Sequence, residues 1–260
     1  TSSPDISLDA DRLKQGLGCL LRMVIIGVFI FACLFLVAGT YAIYEYNAIA
    51  SQLPSVENLK QKASSFETTR ILDRNGNVLY EILDPSAGRR TYITLDKISP
   101  YLIAATIATE DKNYYSHPGF DWLAIVRAFV QNDQSSGETG SGASTITQQL
   151  ARTLIFSPEE RNTRSYMRKV REALLAAEIT RRYSKDEILE LYLNEINYGN
   201  LAYGIEAAAQ TYFGLHAGQL SLAQSAFLAG LPQAPALYDV YQNRNGTMSR
   251  FQDVLTLTVQ

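Results

Sequence analysis

The chain has 260 residues, of which 47% are hydrophobic and 19% are charged, enough for one globular domain of ordinary size. A formal net charge of −3 argues against a large nucleic-acid interface, although the cations are concentrated between Arg152 and Arg182. The chain has only two histidines, and its Cys and His residues show no metal-ligand spacing, which disfavours both zinc chemistry and a Ser-His-Asp triad.

The N-terminal segment predicts a membrane anchor. Residues 1–16 are polar and are predicted to form a disordered cytoplasmic tail. Residues 23–44 then carry no formal charge, and a helix of that length, about 33 Å, crosses a bilayer core. We therefore assign residues 17–44 to a transmembrane helix. Three basic residues precede the apolar run and Glu45 follows it, which places the N-terminus in the cytoplasm and the rest of the chain outside.

A cleaved signal peptide is the alternative interpretation of this segment, because Ala48-Ile49-Ala50 resembles a cleavage site. The apolar run is longer than the usual h-region of about 7–15 residues, which favours a retained anchor. Both cysteines, Cys19 and Cys33, lie in or beside the span. The outer part of the chain thus has no disulfide and depends on a packed core for stability.

Beyond the anchor, residues 45–66 are predicted to form a polar stalk and residues 67–240 the folded domain. Residues 70–80 predict a β-hairpin around Asn75-Gly76. Residues 241–260 are interpreted as the start of a linker. The first residue is not Met and the chain ends within an apolar helical pattern, so we expect a fragment of a longer protein in which a C-terminal domain could follow.

Most of the folded domain predicts short helices around one core. A helix is expected from Ser99-Pro100 toward Glu110, and a second apolar pattern covers residues 120–130. Residues 131–143 are rich in Gly and Ser, and they are either a mobile lid or a plain surface insertion. Capping boxes open three further helices, and Gly214 suits the end of another; the box residues are Thr145 with Gln148, Ser184 with Glu187 and Ser221 with Gln224.

Two neighbouring helices carry polar residues at helical spacing. Ser144, Gln148 and Arg152 are expected to share one face, which suits a sugar-phosphate but is also compatible with a solvated surface. Arg164, Arg168 and Glu172 repeat the spacing, with Lys169 beside them, and clustered Arg residues can bind phosphate oxygens. The alternative is a surface salt-bridge ladder, worth about 0.2–0.5 kcal/mol per pair.

An acidic pair, Glu110-Asp111, lies at the end of the apolar helix that is predicted to begin at Ser99-Pro100. Apolar neighbours and an adjacent like charge both raise the pKa of a carboxylate toward that of a general base. A pair of acids facing water at a helix end is the alternative interpretation of the same residues.

Five sequence blocks follow one another along the folded domain. They are Glu110-Asp111-x-x-Tyr114-x-x-His117-x-Gly119; Gly142-Ala-Ser-Thr-Ile-Thr-Gln-Gln-Leu-Ala-Arg152; Arg168-Lys-x-x-Glu172; Lys185-x-x-Ile188-Leu-Glu-x-Tyr-Leu-Asn194 with Gly199 and Tyr203-Gly204-Ile205; and Leu220-Ser-Leu-Ala-x-x-Ala-x-Leu-Ala-Gly-Leu-Pro232-Gln-Ala-Pro235. In this order and spacing the blocks resemble the peptidoglycan glycosyltransferase family, family 51, which comprises the transglycosylase module of class A penicillin-binding proteins and the monofunctional transglycosylases. The resemblance covers roughly residues 68–238.

The resemblance implies a mainly α, lysozyme-like transglycosylase domain with a head and a smaller membrane-proximal jaw. It implies that the substrate is lipid II, with the nascent glycan on undecaprenyl diphosphate as donor and the 4-hydroxyl of an incoming lipid II as acceptor. The reaction inverts the anomeric centre, and moenomycin, which mimics the donor, inhibits the family. Cell-wall synthesis proteins are the implied partners, together with the bilayer and without nucleic acid.

The resemblance also implies roles for single residues. Glu110 falls on the catalytic base, and Glu172 falls on a second glutamate that organises the diphosphate end, directly, through cations or through a divalent ion. No organic cofactor is implied; Mg²⁺ or Mn²⁺ is a possible cofactor. The remaining implied substrate-site positions are Asp111, His117, Ser144, Thr145, Gln148, Gln149, Arg152, Arg164, Arg168, Lys169 and Asn194, of which Asp111, His117 and Asn194 are read as supports of the site.

Three positions depart from the family pattern: Arg152 stands where Lys is common, Tyr114 replaces Phe, and Gln224 replaces Glu. Two alternative functions stay open at this point. A lysozyme-like hydrolase needs one strong acid but no cation cluster, and an inactive membrane-anchored scaffold needs neither glutamate. The absence of Ser-x-x-Lys leaves this chain without a recognisable transpeptidase nucleophile.

Overall fold

The structure is a computed structural model that describes residues 6–51, 58–64, 68–82, 88–121, 144–163 and 165–259. The chain forms two compact units, Thr1–Leu53 and Pro54–Gln260. The predicted helix over residues 120–130 and the predicted loop over residues 131–143 lie outside the described residues, apart from Phe120 and Asp121.

The first unit is a single helix, α1, over Ile6–Ala50. Its segment Leu20–Ala48 is long and apolar enough to cross a membrane, by length and composition. Residues 6–16 are helical, so the prediction of a disordered tail is wrong there. The polar segment contains helix-forming Leu, Ala, Arg, Lys and Gln, and elongating an existing helix costs less than nucleating a new one. The helix also continues beyond residue 44 into the predicted stalk.

The second unit begins with a short helix, α2 (Leu59–Ser64), and the predicted β-hairpin. Strands β1 (Thr69–Leu72) and β2 (Val78–Ile82) pair antiparallel, with Ile71 opposite Tyr80. In the turn, the side chain of Asp73 accepts hydrogen bonds from the backbone N–H groups of Asn75 and Asn77, both at 2.8 Å. The hairpin is confirmed because turn chemistry of this kind is local and readable from sequence.

The rest of the unit is helical, which confirms the predicted mainly α class. Its helices are α3 (Pro100–Glu110), α4 (Ile146–Ile155), α5 (Pro158–Asn162), α6 (Tyr166–Arg182), α7 (Lys185–Glu195), α8 (Ile205–Phe213), α9 (Leu222–Gly230) and α10 (Arg244–Val259). All three predicted capping boxes form, and Gly214 ends α8 in the left-handed region. Ser99 precedes α3 without capping it, because its hydroxyl donates to the Leu220 carbonyl at 2.9 Å.

The C-terminal helix α10 packs against α3 and α9. Val254 is fully buried there with Ala105, Ala226 and Ala229. The interpretation of residues 241–260 as a linker is therefore wrong, and the domain boundary predicted at residue 240 lies too early. The small alanines of α3 and α9 leave a groove between these helices, and the apolar face of α10 fills it. The sequence of α10 by itself does not show that it packs into this groove.

A second layer consists of α4 packed between α6 and α7. Buried polar residues of α7 bind the extended segment that precedes α3. The side chain of Asn194 accepts from the Ile93 N–H at 2.9 Å and donates to the Ile93 carbonyl at 2.8 Å, while Glu190 accepts from the Leu95 N–H at 2.9 Å. These bonds fix the chain leading into α3, which carries Glu110 at its last position.

The two glycines that flank α8 test how closely α7 and α8 approach. Gly204 has φ +79°, and a Cβ there would collide with the backbone carbonyl of Asn194, whereas Gly214 has φ +65° and open space around it. We expect Gly204→Ala to lower the free energy of unfolding by about 2–4 kcal/mol, from strain plus overpacking. Gly214→Ala, the control with strain alone, should cost about 1–2 kcal/mol. Chemical denaturation measures both, and equal costs would refute the close approach.

Candidate active site

Glu110 lies at the end of α3 with one carboxylate oxygen bound and the other free of hydrogen bonds. Its Oε2 accepts a hydrogen bond of 2.7 Å from the side-chain nitrogen of Gln149. Its Oε1 is buried and has no hydrogen-bond partner in the described part of the chain. Burial raises the pKa of Glu110, while the Gln149 hydrogen bond and the charges of Arg250 and Arg152 lower it. This is the setting of a poised general base.

Gln149 is itself buried, and its side-chain oxygen accepts a hydrogen bond of 3.2 Å from the hydroxyl of Tyr192 on α7. The family resemblance implies that Gln149 binds substrate, and this stays a prediction. The structure places its amide between the Glu110 carboxylate and the Tyr192 hydroxyl.

Asp111, the next residue, ties the end of α3 to the start of α4. Its Oδ2 accepts from the Ile146 N–H at 3.1 Å, and its Oδ1 lies 2.9 Å from Nε2 of His117. The Gly119 N–H donates to Nδ1 of the same histidine at 3.1 Å, so the ring proton sits on Nε2 and donates to Asp111. Thr145 completes the junction by donating to the Gly119 carbonyl at 2.6 Å.

The side chains of Asp111, His117 and Thr145 therefore bind the protein itself, which gives them a positioning role. Asn194 has such a role too, because its described contacts are with Ile93 and the Glu190 carbonyl. Whether any of the four also touches substrate stays a prediction.

The predicted shared face of Ser144, Gln148 and Arg152 is not formed. Ser144 precedes the helix, which begins at Ile146, and Gln148 is buried with its side-chain oxygen 3.0 Å from the Thr145 N–H in the capping box. The sequence predicts two different positions for the Gln148 side chain, one in the capping box and one on the shared face. The capping box forms because it satisfies a backbone N–H group that has no partner within the helix.

Glu172 is fully buried on α6 between two cations. Its Oε1 pairs with Arg168, and its Oε2 lies 3.0 Å from Lys169 Nζ. Arg168 also donates to the Thr163 carbonyl at 2.6 Å, and Lys169 donates to the Ser144 hydroxyl at 2.8 Å. Burial lowers the pKa of Lys169, and Glu172 opposes that shift. A surface salt-bridge ladder does not describe this buried ion cluster.

A divalent ion at Glu172 would meet two cations, because both carboxylate oxygens already face Arg168 and Lys169. Within the described ranges, no group of three His, Cys, Asp or Glu residues is arranged to hold a metal. The resident protein residues therefore do not fit a metal at this glutamate.

Helix α4 and the residue before its N-cap connect the two glutamate centres. Ser144, which precedes the helix, accepts a hydrogen bond from Lys169, and Gln149, within the helix, donates one to Glu110. One turn further on, Arg152 makes no hydrogen bond or ion pair with any described residue, yet its charge lowers the pKa of both Glu110 and Lys169. Arg152 is thus a cation near both centres with its own donors available. Arg164 lies outside the described residues.

The sequence missed two residues of this site. Arg250 of α10, which donates to the Gly230 carbonyl at 3.4 Å, lowers the pKa of Glu110 more than any other charge does. Sequence analysis does not identify Arg250 because it interprets residues 241–260 as a linker, although the apolar pattern over residues 254–259 indicates a helix. Tyr192 stood inside a recognised block but had no assigned role.

Comparison with known proteins identifies the family of this chain. The model of a family described as transglycosylase matches residues 75–259. Curated relatives include penicillin-binding protein 1A of Escherichia coli, 42% identical over 86% of this chain and 25% of the relative, and that of Aquifex aeolicus, 47% identical over 64% and 22%. Penicillin-binding protein 1A/1B of Bacillus subtilis is 37% identical over 98% and 26%.

The chain thus spans about a quarter of the length of these relatives. Among solved structures, penicillin-binding protein 1A of Haemophilus influenzae is similar at 25% identity, with a TM-score of 0.39 over 74% of this chain and 18% of that one.

The buried carboxylate of Glu110 predicts a stability cost that depends on pH. Because the pKa of Glu110 in the folded state lies above its ordinary value of 4.5, the folded state binds the extra proton between those two values, and stability falls as pH rises through that window. We expect Glu110→Gln to raise the melting temperature at pH 7.5 and to change it much less at pH 4.

The control is Glu178→Gln, since the exposed Glu178 pairs with Arg181 and Arg182, which lower its pKa to about 2. That change should give no gain in melting temperature at pH 7.5. Thermal melts at both pH values measure the pair. A lower melting temperature for Glu110→Gln at pH 7.5 would contradict the burial of a charged carboxylate.

Proposed function

We propose that this chain, which belongs to the transglycosylase family and carries the transglycosylase module of class A penicillin-binding proteins, polymerises lipid II into glycan strands. One observation carries the proposal. A buried carboxylate with a free oxygen, Glu110, is joined through α4 to a cation cluster around Glu172. A hydroxyl nucleophile and a diphosphate leaving group need these two features.

In the proposed reaction, Oε1 of Glu110 takes the proton of the acceptor 4-hydroxyl. The acceptor oxygen bonds to the anomeric carbon of the donor, and the bond from that carbon to the diphosphate oxygen breaks, so the electron pair leaves with undecaprenyl diphosphate. Attack opposite the leaving group inverts the anomeric centre. General-base assistance of this kind contributes about 10²–10⁴-fold.

The cations stabilise the charge that develops on the departing diphosphate. Arg152 has free donors, and Lys169 exposes 46% of its side chain, so both are available to phosphate oxygens. Glu172 acts by holding Arg168 and Lys169 in place rather than by touching the phosphates. Mg²⁺ or Mn²⁺ carried by the diphosphate is compatible with this arrangement, and no step depends on it.

The proposed location is the inner or plasma membrane. Helix α1 contains the apolar segment Leu20–Ala48, and basic residues precede it, which by the positive-inside rule leaves the N-terminus in the cytoplasm and the catalytic unit outside. The proposed partners are the nascent glycan, the bilayer and other cell-wall synthesis proteins.

A hydrolase is the second candidate, because a carboxyl group with a raised pKa is also what a glycosidase uses as general acid. The full chain in detergent should lengthen lipid II into a ladder of products on a gel, and moenomycin should abolish the ladder. Shortening of finished glycan without any ladder would establish the hydrolase instead.

The base is tested by Glu110→Gln, which keeps the Gln149 contact but removes the proton acceptor. We expect polymerisation to fall by about 100-fold or more, with the fold retained. Initial rates of glycan formation measure the loss. Glu178→Gln, an exposed acid on α6, is the matched control and should keep full activity; near-normal activity of Glu110→Gln would remove Glu110 from the role.

Two variants of the cation cluster are expected to affect ligand binding and protein stability separately. Arg152→Ala should weaken binding of moenomycin by about 10-fold or more, with little change in melting temperature, because a charge-assisted bond to phosphate is worth about 1.5–3 kcal/mol. Arg168→Ala should lower the melting temperature clearly, because it leaves the buried Glu172 short of one cation. Calorimetric titration and thermal melts compare the two variants, and the opposite ranking would contradict this division.

A further inference from the structure

Three side chains form a buried row that ends on the proposed base. The Tyr192 hydroxyl donates to the Gln149 side-chain oxygen at 3.2 Å, and the Gln149 side-chain nitrogen donates to Glu110 Oε2 at 2.7 Å. Tyr192 is 1% exposed and Gln149 is 8% exposed, so bulk water does not compete for these groups. The row crosses three helices, since Tyr192 lies on α7, Gln149 on α4 and Glu110 on α3.

We infer that Gln149 and Tyr192 are positioning residues that hold Glu110 as a proton acceptor and leave its Oε1 to the substrate hydroxyl. The inference rests on the proposed function of Glu110 as the base. It assigns one oxygen of the carboxylate to the protein and the other to the reaction.

The direction of the row follows from the amide of Gln149. An amide offers one acceptor oxygen and one donor nitrogen, and a tyrosine hydroxyl that donates must face the oxygen. The nitrogen is then left facing Glu110, where it can donate only to an unprotonated oxygen. The reversed amide would bring two acceptor oxygens together unless Glu110 carried a proton. The donating Tyr192 hydroxyl matches the amide orientation that suits an ionised carboxylate, and the carboxylate, which can only accept, favours the same orientation.

Oε1 of Glu110 is the complementary half of this arrangement, because it is buried without a hydrogen bond in the described part of the chain. An unpartnered carboxylate oxygen in a dry site is the stronger proton acceptor of the two. The acceptor 4-hydroxyl would supply its missing hydrogen bond.

Other groups act on Glu110 and stay in place when the row is altered. They are Arg152 on α4, Arg250 on α10, Asp111 beside it in the chain, and Tyr198, a buried tyrosine whose hydroxyl has no described partner. Tyr198→Phe therefore removes a buried hydroxyl near Glu110 without touching the row, which makes it a matched control for Tyr192→Phe.

The test uses the full chain and two readouts. Infrared titration of carboxylates, taken as the difference from Glu110→Gln, follows Glu110 directly, and initial polymerisation rates give the acid limb of the pH–rate profile. We expect Gln149→Met to move both midpoints up by about one pH unit, because a lost charge-assisted hydrogen bond of this strength corresponds to about that shift. On the acid limb, at a pH below both midpoints, polymerisation should fall accordingly, by about 10-fold.

Tyr192→Phe should move both midpoints in the same direction by a smaller amount, and Tyr198→Phe should leave them in place. Tyr192→Phe removes one oxygen atom only, so it keeps the test usable if Gln149→Met fails to fold. The KM for lipid II should stay within about twofold in Tyr192→Phe, because that side chain is not assigned to the substrate.

Unmoved midpoints in Gln149→Met or Tyr192→Phe, even with a lower rate, would reduce the row to a structural contact and overturn the inference. An equal shift in Tyr198→Phe would overturn it as well. Failure of the proposed function would give a different result, because the Glu110→Gln variant would then keep polymerising lipid II. The infrared midpoints would still show whether Gln149 and Tyr192 control the pKa of the carboxylate.

Discussion

The hydrogen bond from the Ile146 N–H to the Asp111 carboxylate is the contact on which the rest of the site depends. The first N–H groups of a helix have no partner within the helix, and a carboxylate satisfies one of them while it complements the helix dipole. Asp111 directly follows Glu110, so fixing α4 to Asp111 also fixes it relative to Glu110. Three residues further along α4, Gln149 then reaches the Glu110 carboxylate at 2.7 Å. His117 and Thr145 hold the same junction from the other side.

Three carboxylates of this domain have different roles because their surroundings differ. Asp111 accepts hydrogen bonds from the backbone and from a histidine, and it serves as a joint. Glu172 sits between Arg168 and Lys169 and keeps these cations in place. Glu110 has a buried oxygen with neither a hydrogen bond nor an ion pair in the described part of the chain, and burial raises its pKa. The chemistry is set by what each acid contacts, since the side chains themselves are nearly the same.

Sequence reasoning succeeded where the controlling interaction is local. The hairpin turn at Asn75-Gly76 and the capping boxes depend on neighbours within four residues, and all of them form. It failed where the partner is distant in sequence. The Asn194 side chain binds Ile93, 101 residues away, and the Gln149 side chain binds Glu110, 39 residues away. A polar residue in a motif block shows that a side chain is needed, and only the fold shows whether it faces the protein or the ligand.

The choice of a glutamine as the direct partner of Glu110 has a chemical consequence. An arginine or lysine at the same distance would lower the pKa of the carboxylate strongly and make it a poor base, as ion pairs generally do. A neutral amide donor offsets only part of the effect of burial, and the full charges of Arg152 and Arg250 act without a described hydrogen bond to the carboxylate. The pKa of Glu110 is thus raised by burial and restrained by weak or distant partners, which suits the proposed role of a general base. The positive charge that the proposed reaction needs at the diphosphate is carried by Arg152 and by the cations around Glu172, none of which makes a described hydrogen bond to Glu110.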